Sequence, residues 1–330
     1  MVFKTIVMLL MFFAPLAAII FLPITSIPLL FGLFILSGLG MAGIGMGIMH
    51  DAIHGSYSKN KTINKLMGYT INLIGANDKV WRLQHNVLHH SFTNIEHHDD
   101  DINTPFFLRF SPHAPKNKLH KFQHLYAWFF YGLSTISWIT SKDFISYRKY
   151  YKMGLVKDRK TYINGVLKII AWKVVYYSYA LVLPLIFTSF APWIVILAFL
   201  AMHFVTGLTI SLIFQTAHVS PDAAFPLPDE HGNMESERLA HQLETTCNFA
   251  SKSPVLSWFV GGLTHQIEHH LFPNISHIHY RKISPIVKQT AEEYGLPYHS
   301  NGSFLTAVIK HFKMLRDLGR TELQPIQSNS

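Results

Sequence analysis

The sequence predicts an all-α integral membrane protein with four transmembrane helices in two hairpins and a cytosolic helical cap that carries a histidine-rich metal site. Three observations support this prediction. Four apolar runs are each about 20 residues or longer, which is the length a membrane-spanning helix needs. Of the 330 residues, 49% are hydrophobic and only 14% are charged, against about 25% charged residues in soluble domains. The chain also contains 21 histidines, an unusual number that points to metal bound by imidazole.

Residues 1–50 are predicted to form the first transmembrane hairpin. The run 3–22 is nearly all apolar after Lys4, and the run 24–49 contains no charged residue. Each run is long enough to cross the hydrocarbon core of a bilayer. Because the second run follows the first almost at once, a hairpin is favoured over a cleaved signal peptide.

Residues 166–214 are predicted to form the second hairpin, built from the apolar runs 166–187 and 192–214. The link between these runs, residues 188–191, is very short and carries no charge. Lys168 and Lys173 lie near the start of the first run, where long ammonium side chains can extend to the lipid headgroups. Both runs are therefore expected to cross the membrane.

The remaining chain divides into three segments. Residues 51–165 are predicted to be cytosolic or interfacial, residues 215–312 cytosolic, and residues 313–330 a fraying helix followed by a flexible tail. Within the first segment, residues 124–139 are apolar and aromatic. This stretch is too short for a confident span, so an interfacial or buried helix is expected there.

The net charge of +9, from 28 Lys and Arg against 19 Asp and Glu, favours a cytoplasmic position for the polar segments. Basic residues beside apolar spans usually mark the cytoplasmic side, where they face anionic headgroups. An acidic protein partner is a second explanation of the charge. Nucleic acid is not expected, because the basic residues are spread along the chain without a recognisable binding motif. Since four spans return the chain to its starting side, the active site and both termini are predicted to be cytoplasmic.

Histidine clusters are the main functional signal. Residues at i and i+4 lie about 40° apart on an α-helix, so their imidazoles can bind one ion. Adjacent residues diverge by about 100°, which suits two neighbouring ions better than one. A single His-x-x-x-His pair is expected by chance in this composition, but two His-x-x-x-His-His triplets are not. The predicted ligands in these clusters are His50 and His54; His85, His89 and His90; and His265, His269 and His270.

The spacing and the composition together favour two iron ions. The single cysteine, Cys247, excludes a zinc-thiolate site and a four-cysteine iron–sulfur cluster. Imidazole-rich sites suit iron, copper or zinc. A hydrolytic zinc ion needs only about three protein ligands, and the candidate histidines are too many for one such ion. Two imidazole-bound ions at a membrane face suit the activation of oxygen.

Carboxylates inside the clusters are predicted to orient imidazoles rather than to bind metal. Asp51 and Glu268 are the candidates for this role. Asp99 to Asp101, which follow the second cluster, form either a solvated loop or further orienting carboxylates. His203 lies within the last predicted span, where a hydrogen-bonded core residue is expected.

At the clusters the chain resembles the membrane fatty acid desaturase family, over roughly residues 45–298. Residues 50–58 and 85–94 resemble the first and second histidine boxes of that family. Residues 266–273 resemble the third box of its front-end branch, in which glutamine replaces the first histidine. Two further segments, residues 214–219 and 245–250, resemble cyanobacterial-type acyl-lipid Δ6 desaturases. We use the terms first, second and third box below for these clusters.

The resemblance implies a di-iron centre that uses dioxygen as co-substrate and introduces a cis double bond into an acyl chain on a membrane lipid or on CoA. Front-end members place the new bond between an existing one and the carboxyl end of the chain. The resemblance also implies that His218 is an extra ligand after the last span. Because the chain has no His-Pro-Gly-Gly haem motif of a fused cytochrome b5 domain, electrons are expected from a separate ferredoxin or cytochrome b5 type donor.

One ligand position has two candidates. The front-end pattern assigns it to Gln266, whereas the i, i+4 spacing to His269 assigns it to His265. Helical phasing favours His265, and Gln266 is the alternative.

Two other functions are compatible with the sequence. A membrane di-iron lipid hydroxylase would use the same site and differ in the product. A membrane zinc hydrolase would bind about one zinc ion and would need neither oxygen nor a reductant. A transport protein is disfavoured, because the spans contain few ionisable residues that could line a path.

Overall fold

The computed structural model describes residues 1–320, and most of this chain is helical. The α-helices in chain order are α1 (Val2–Phe21), α2 (Ile27–Ile44), α3 (His50–His54), α4 (Lys61–Gly68), α5 (Thr70–Leu73), α6 (Asp78–Arg82), α7 (Gln123–Ser137), α8 (Asp143–Lys152), α9 (Arg159–Tyr177), α10 (Leu183–Phe187), α11 (Pro192–His218), α12 (Arg238–Glu244), α13 (Pro254–Phe259), α14 (Gln266–Leu271), α15 (Tyr280–Glu293) and α16 (Phe304–Arg320). π-helical turns cover Gly45–Met49, Leu83–His89, Trp138–Lys142 and Ser178–Val182, and 3-10 turns cover Lys118–Phe122 and His277–His279. Two short parallel strands pair with each other: β1 (Asn248–Phe249) and β2 (Ser300–Asn301).

Four helical stretches within residues 1–320 are long and apolar enough to cross a membrane, which confirms the four predicted spans. They are Val2–Phe21, Ile27–His54, Arg159–Phe187 and Pro192–His218. The third begins earlier than the apolar run that starts at residue 166. Its start is fixed by Asp158, whose carboxylate accepts a hydrogen bond from the Thr161 N–H at 2.7 Å and so caps the first turn.

Two further predictions, each about a short segment, can be compared with the structure. The helix expected at residues 124–139 is present as α7. The segment predicted as a fraying helix and tail, 313–330, is helical in α16 as far as Arg320. The rest of that prediction, residues 321–330, lies outside the described residues.

The chain forms two compact units, each made of two separated stretches. The membrane unit comprises residues 1–83 and 129–211, and the histidine unit comprises residues 84–128 together with the chain from residue 212 onward. The five predicted segments therefore describe the order of features along the chain, whereas the compact units combine stretches that are distant in sequence.

Close helix packing in the membrane unit depends on small residues. A Cβ atom at Gly40 of α2 would lie 2.5 Å from the backbone nitrogen of Phe12 in α1, so only glycine allows this approach. The Ser37 hydroxyl donates a hydrogen bond to the Phe12 carbonyl at 2.9 Å. Without small residues at such positions, two membrane helices cannot bring their backbones together.

Polar side chains buried in the membrane unit have partners. His203, fully buried in α11, lies 2.6 Å from the Tyr176 hydroxyl and 3.2 Å from the Thr135 hydroxyl, as expected for a hydrogen-bonded core residue. The Lys173 ammonium donates to the Asp143 carboxylate at 2.8 Å and to the Gly75 carbonyl at 3.1 Å. These contacts satisfy groups that would otherwise be costly to bury.

In the histidine unit, helix α16 is attached to the chain that follows α11. The His311 imidazole donates a hydrogen bond to the Val219 carbonyl at 2.7 Å. The Lys310 ammonium pairs with the Asp222 carboxylate. Arg109, also buried, donates from Nη1 to the Leu318 carbonyl at 2.6 Å. The first two contacts hold α16 against the chain that follows His218, and the third holds it against the segment that contains Arg109.

Candidate metal centre

The second box lies in a π-helical turn, Leu83–His89, and not in an α-helix. The His90 N–H donates to the His85 carbonyl at 3.0 Å, which is the i→i+5 hydrogen bond of a π-helix. A π-helix has about 4.4 residues per turn, so residues i+4 and i+5 lie about 33° and about 49° on either side of residue i. His89 and His90 therefore both share a face with His85.

The third box lies on a short α-helix, α14. His265 is the residue before this helix, with the non-helical dihedral angles φ −116° and ψ 62°. Gln266 is the first helical residue, so Gln266, His269 and His270 occupy positions i, i+3 and i+4. In an α-helix these positions lie within about 100° of one another. The phasing that favoured His265 assumed a helix that the backbone does not form at that residue.

Six buried histidines of the histidine unit bring their nitrogen atoms together. One group is His89, His218 and His270, and a second group is His90, His269 and His270. Within each group the candidate ligand atoms lie within 4.8 Å of one another. The Nε2 atom of His90 is also 3.2 Å from that of His85 and 3.0 Å from that of His269. The adjacent residues His89 and His90 thus fall in different groups, and His270 belongs to both.

The environment of these nitrogens fits a metal ion. The Nε2 atoms of His89 and His218 are buried and have no hydrogen-bond partner among residues 1–320. Buried polar atoms are normally paired, and an unpaired one calls for an explanation such as an ion. The two orphaned atoms belong to the same group of three. The cluster can therefore hold metal, and the role of each histidine as a ligand stays a prediction.

His89 is oriented by a buried carboxylate. Its Nδ1 atom lies 3.0 Å from both carboxylate oxygens of Asp99. Asp99 in turn accepts hydrogen bonds from the backbone N–H groups of Asn94, at 2.9 Å, and Asp101, at 2.8 Å. Burial alone lowers the pKa of His89, but the Asp99 and Asp101 carboxylates outweigh it and raise that pKa to about 9. Since Nδ1 donates to Asp99, Nε2 is the nitrogen that can bind metal, and it does so with release of its proton.

Three further imidazoles, those of His218, His269 and His270, have neutral partners. The Nδ1 atom of His218 lies 3.3 Å from the Thr245 carbonyl, and that of His269 lies 3.3 Å from the Tyr280 hydroxyl. The Nδ1 atom of His270 lies 2.8 Å from Oε1 of Gln242. Such partners fix ring orientation and leave Nε2 as the metal-facing nitrogen.

His265 and Gln266 differ in their surroundings. The Nδ1 atom of His265 lies 3.0 Å from the Thr264 hydroxyl, and the two groups of three do not contain His265. Burial and the nearby Arg281 lower the pKa of His265 to about 4. The side chain of Gln266 is fully buried, and both its amide atoms are without a hydrogen-bond partner in the described part of the chain. The orphaned amide resembles the orphaned nitrogens of His89 and His218.

Glu268 connects the third box to neighbouring segments through hydrogen bonds. Its carboxylate accepts hydrogen bonds from the Tyr298 hydroxyl at 2.7 Å and from Nδ2 of Asn248 at 2.9 Å. Asn248 also accepts the Ile267 N–H at 2.9 Å. Burial raises the pKa of Glu268, although these hydrogen bonds oppose the shift. Glu268 thus ties α14 to β1 and to the Tyr298 segment.

The first box lies in the membrane unit, on α3 at the end of the second span. The rings of His50 and His54 are both buried, and their centroids are 4.8 Å apart. The Trp81 ring lies against both, at centroid distances of 5.5 Å and 6.1 Å. Asp51, between them in sequence, is buried with a carboxylate oxygen 4.0 Å from Nδ1 of His50. The left-handed Gly55, at φ 78°, ends the helix directly after the box.

Three contributors to these sites were missed by sequence reasoning: Trp81, Asn94 and Gln242. Asn94 has a positive φ of 59°, and its Nδ2 donates to the His218 and Ala224 carbonyls at 3.0 Å. Its position directly after the second box was visible, but its long-range partners were not. A lone tryptophan or glutamine gives no signal in a single sequence, because such residues are common in cores.

The fold and the site define a helical protein that has, within residues 1–320, four helices long and apolar enough to span a membrane and a buried, imidazole-rich cluster that can hold metal. The fatty acid desaturase family model matches residues 24–302, which is most of the chain, so the chain belongs to the fatty acid desaturase family. It is an oxidoreductase of that family.

Curated relatives agree with this assignment. The sn-1 linoleoyl-lipid 6-desaturase of Synechocystis sp. is 32% identical over 97% of this chain and 89% of its own length. The enzyme of the same name from Arthrospira platensis is 33% identical over 86% of this chain and 76% of its own length. The acyl-lipid (8-3)-desaturase of Physcomitrium patens is 36% identical over 87% of this chain, which spans only 60% of that protein.

Proposed function

We propose that this chain is an oxygen-dependent fatty acyl desaturase of the front-end type, which introduces a cis double bond at a Δ6-like position in a lipid-linked or CoA-linked acyl chain. The observation that carries the proposal is the pair of imidazole groups that share His270. The names of the cyanobacterial relatives, both linoleoyl-lipid 6-desaturases, support the position of the bond.

The proposed cofactor is a pair of iron ions. When bound, the irons would activate dioxygen and oxidise an unactivated carbon chain, with electrons from a ferredoxin or cytochrome b5 type donor. The proposed ligands are His50, His54, His85, His89, His90, His218, His269, His270 and Gln266. His50 and His54 are included for their spacing, their burial and their place at the end of a span. Gln266 is preferred to His265 because of its helical position and its orphaned amide.

The side chains of the protein would position the acyl chain and would fix which nitrogen of each imidazole carries a proton. Asp99 fixes His89 with Nε2 toward the metal, and the Thr245 carbonyl does the same for His218. All these side chains are buried, so bulk water has little access to the reacting carbons. Because neighbouring methylene groups differ little in reactivity, the position of the acyl chain decides which pair is oxidised.

A cavity of about 730 Å³ in the membrane unit is the proposed site for the polar end of the substrate. His54 and apolar side chains such as Leu83 and Val156 contribute to its wall. Among the described residues, Asp78 is the one acidic side chain in its lining, whereas the basic lining residues are Lys61, Lys65, Lys79, Arg82 and Lys157. This balance suits a phosphate-bearing head group more than a neutral one.

We further propose that the four spans form two hairpins, with the active site and both termini on the cytoplasmic side. The lysines and arginines around the cavity support this orientation, because short cytoplasmic segments are enriched in basic residues.

Product analysis tests the proposed function. The full chain would be expressed in a host that supplies an electron donor, and fatty acid methyl esters would be analysed after fractionation of the lipids by class. The expected result is a new cis double bond that depends on oxygen. This product should be absent in the double variant that carries His89→Ala and His270→Ala. A hydroxylated product, or hydrolysis that proceeds without oxygen and with about one zinc ion, would replace the proposal with one of the alternatives.

A further inference from the structure

Gln242 lies in α12, a short helix in a region without predicted ligands, and its side chain is only 2% exposed. A buried amide at this depth is normally hydrogen-bonded. Its partners belong to the second and third boxes. Oε1 of Gln242 lies 2.8 Å from Nδ1 of His270 and 3.0 Å from the Thr93 hydroxyl, and Nε2 lies 3.5 Å from the His90 carbonyl.

The chemistry of this contact decides the tautomer of His270. An amide oxygen can only accept hydrogen bonds, so Nδ1 of His270 must carry the proton. Nε2 of the neutral ring is then the nitrogen with a lone pair, which is the form that binds metal. The amide orientation that gives this result also lets Nε2 of Gln242 approach the His90 carbonyl, so both ends of the amide support the same assignment.

The same side chain connects the two boxes. Thr93 follows the second box, and its hydroxyl lies 2.8 Å from the His89 carbonyl as well as 3.0 Å from Gln242 Oε1. The His241 imidazole, next to Gln242 in sequence, donates to the Thr93 carbonyl at 2.8 Å. Helix α12 is thereby fixed to the segment after the second box, and through Gln242 to the third.

We propose that Gln242 is a positioning residue of the metal centre, which holds His270 in the metal-binding tautomer and sets the third box against the second. This inference rests on the proposed iron site. His270 is the histidine shared by both groups of three, so an error in its orientation affects both ions. Gln242 acts only through His270 and does not itself bind metal or substrate.

The test is an anaerobic titration of the purified, metal-free full chain in detergent with Fe²⁺. Gln242→Leu keeps similar volume but removes the acceptor, and it is expected to weaken iron binding by about 10- to 100-fold. Gln242→Glu keeps an acceptor for the Nδ1 proton and is expected to stay within about threefold of the parent. A Mössbauer spectrum of the iron-loaded variants reports the coordination of the remaining ions without reference to activity.

Gln123→Leu is the matched control. Gln123 is also buried in the histidine unit, but it bonds the Arg109 backbone and the Leu315 carbonyl. Its loss should lower the thermal midpoint without changing Fe²⁺ affinity. The inference is overturned if Gln242→Leu binds iron as the parent does, or if Gln242→Leu and Gln242→Glu lose affinity equally. A parent chain that binds no iron would instead refute the proposed function.

Discussion

The second and third boxes share the pattern His-x-x-x-His-His but have different backbone conformations. In the second box a π-helical turn places His85, His89 and His90 at positions i, i+4 and i+5. In the third box an α-helix places its three candidates at i, i+3 and i+4, starting from Gln266. Because a π-helix turns less per residue, both sets present three side chains on one face. The comparison teaches that equal spacing in sequence does not mean equal roles, and that Gln266 corresponds to His85.

The largest effect is expected for the histidine that the two groups share. His270→Ala should reduce bound iron to at most one ion and lower product formation by about 100-fold or more, since loss of a ligand exceeds loss of an orienting partner. His218→Ala removes a member of only one group and should retain more iron. Metal analysis of anaerobically purified protein measures both. Equal iron loss in the two variants would contradict the shared position of His270.

The next largest effect on iron binding is expected for Gln266, which occupies in the third box the helical position that His85 occupies in the second. Gln266→Leu removes the orphaned amide and should lower iron affinity by about 10-fold or more. His265→Leu removes a side chain outside both groups and should change affinity by less than about threefold. Fe²⁺ titration of the two variants decides between the candidates. A greater loss in His265→Leu would restore His265 as the ligand.

Deletion of Val87 tests whether iron binding needs the π-helical turn itself or only the placement of three histidines on one face of a helix. The deletion leaves the pattern His-x-x-His-His, which presents three histidines on one face of an ordinary α-helix, in the positions that Gln266, His269 and His270 occupy in the third box. Val87 is 37% exposed, so its removal leaves no large cavity. Iron affinity within about 10-fold of the parent is expected. Val87→Ala is the control for the side chain, and complete loss of iron in the deletion alone would show that the π-helical turn itself is required.

The smallest effect is expected for Tyr298, which stabilises the third box through Glu268. Tyr298→Phe removes the hydroxyl that donates to Glu268 at 2.7 Å. Loss of a buried hydrogen bond to this carboxyl should cost about 1–3 kcal/mol, seen as a fall of several degrees in the thermal midpoint. Glu268 keeps its hydrogen bond from Nδ2 of Asn248 at 2.9 Å, so α14 should stay in place and iron affinity should stay near that of the parent. A large loss of iron without a change in the midpoint would give Tyr298 a direct role at the metal.

Much of the fold could be predicted because its signals are local. The four apolar spans follow from length and hydropathy alone, and the structure confirms them. The helix bounds were less predictable, since the cap at Asp158 extends the third span beyond its apolar run. The cavity at the end of the first box combines residues near position 60 with residues near position 155, and no local pattern connects them.

The sequence by itself determined the residue types of the metal centre, the membrane-spanning segments and the resemblance to a desaturase. The tertiary structure decided how those residues meet: the π-helical turn of the second box, the start of α14 at Gln266, and the contacts of Asp99 and Gln242 with the ligands. The physical reason is that each residue type fixes its own side-chain chemistry, whereas the orientation of the imidazole rings depends on hydrogen bonds to residues 10 to 28 positions away. A single sequence does not pair such residues, and only the folded chain brings them together.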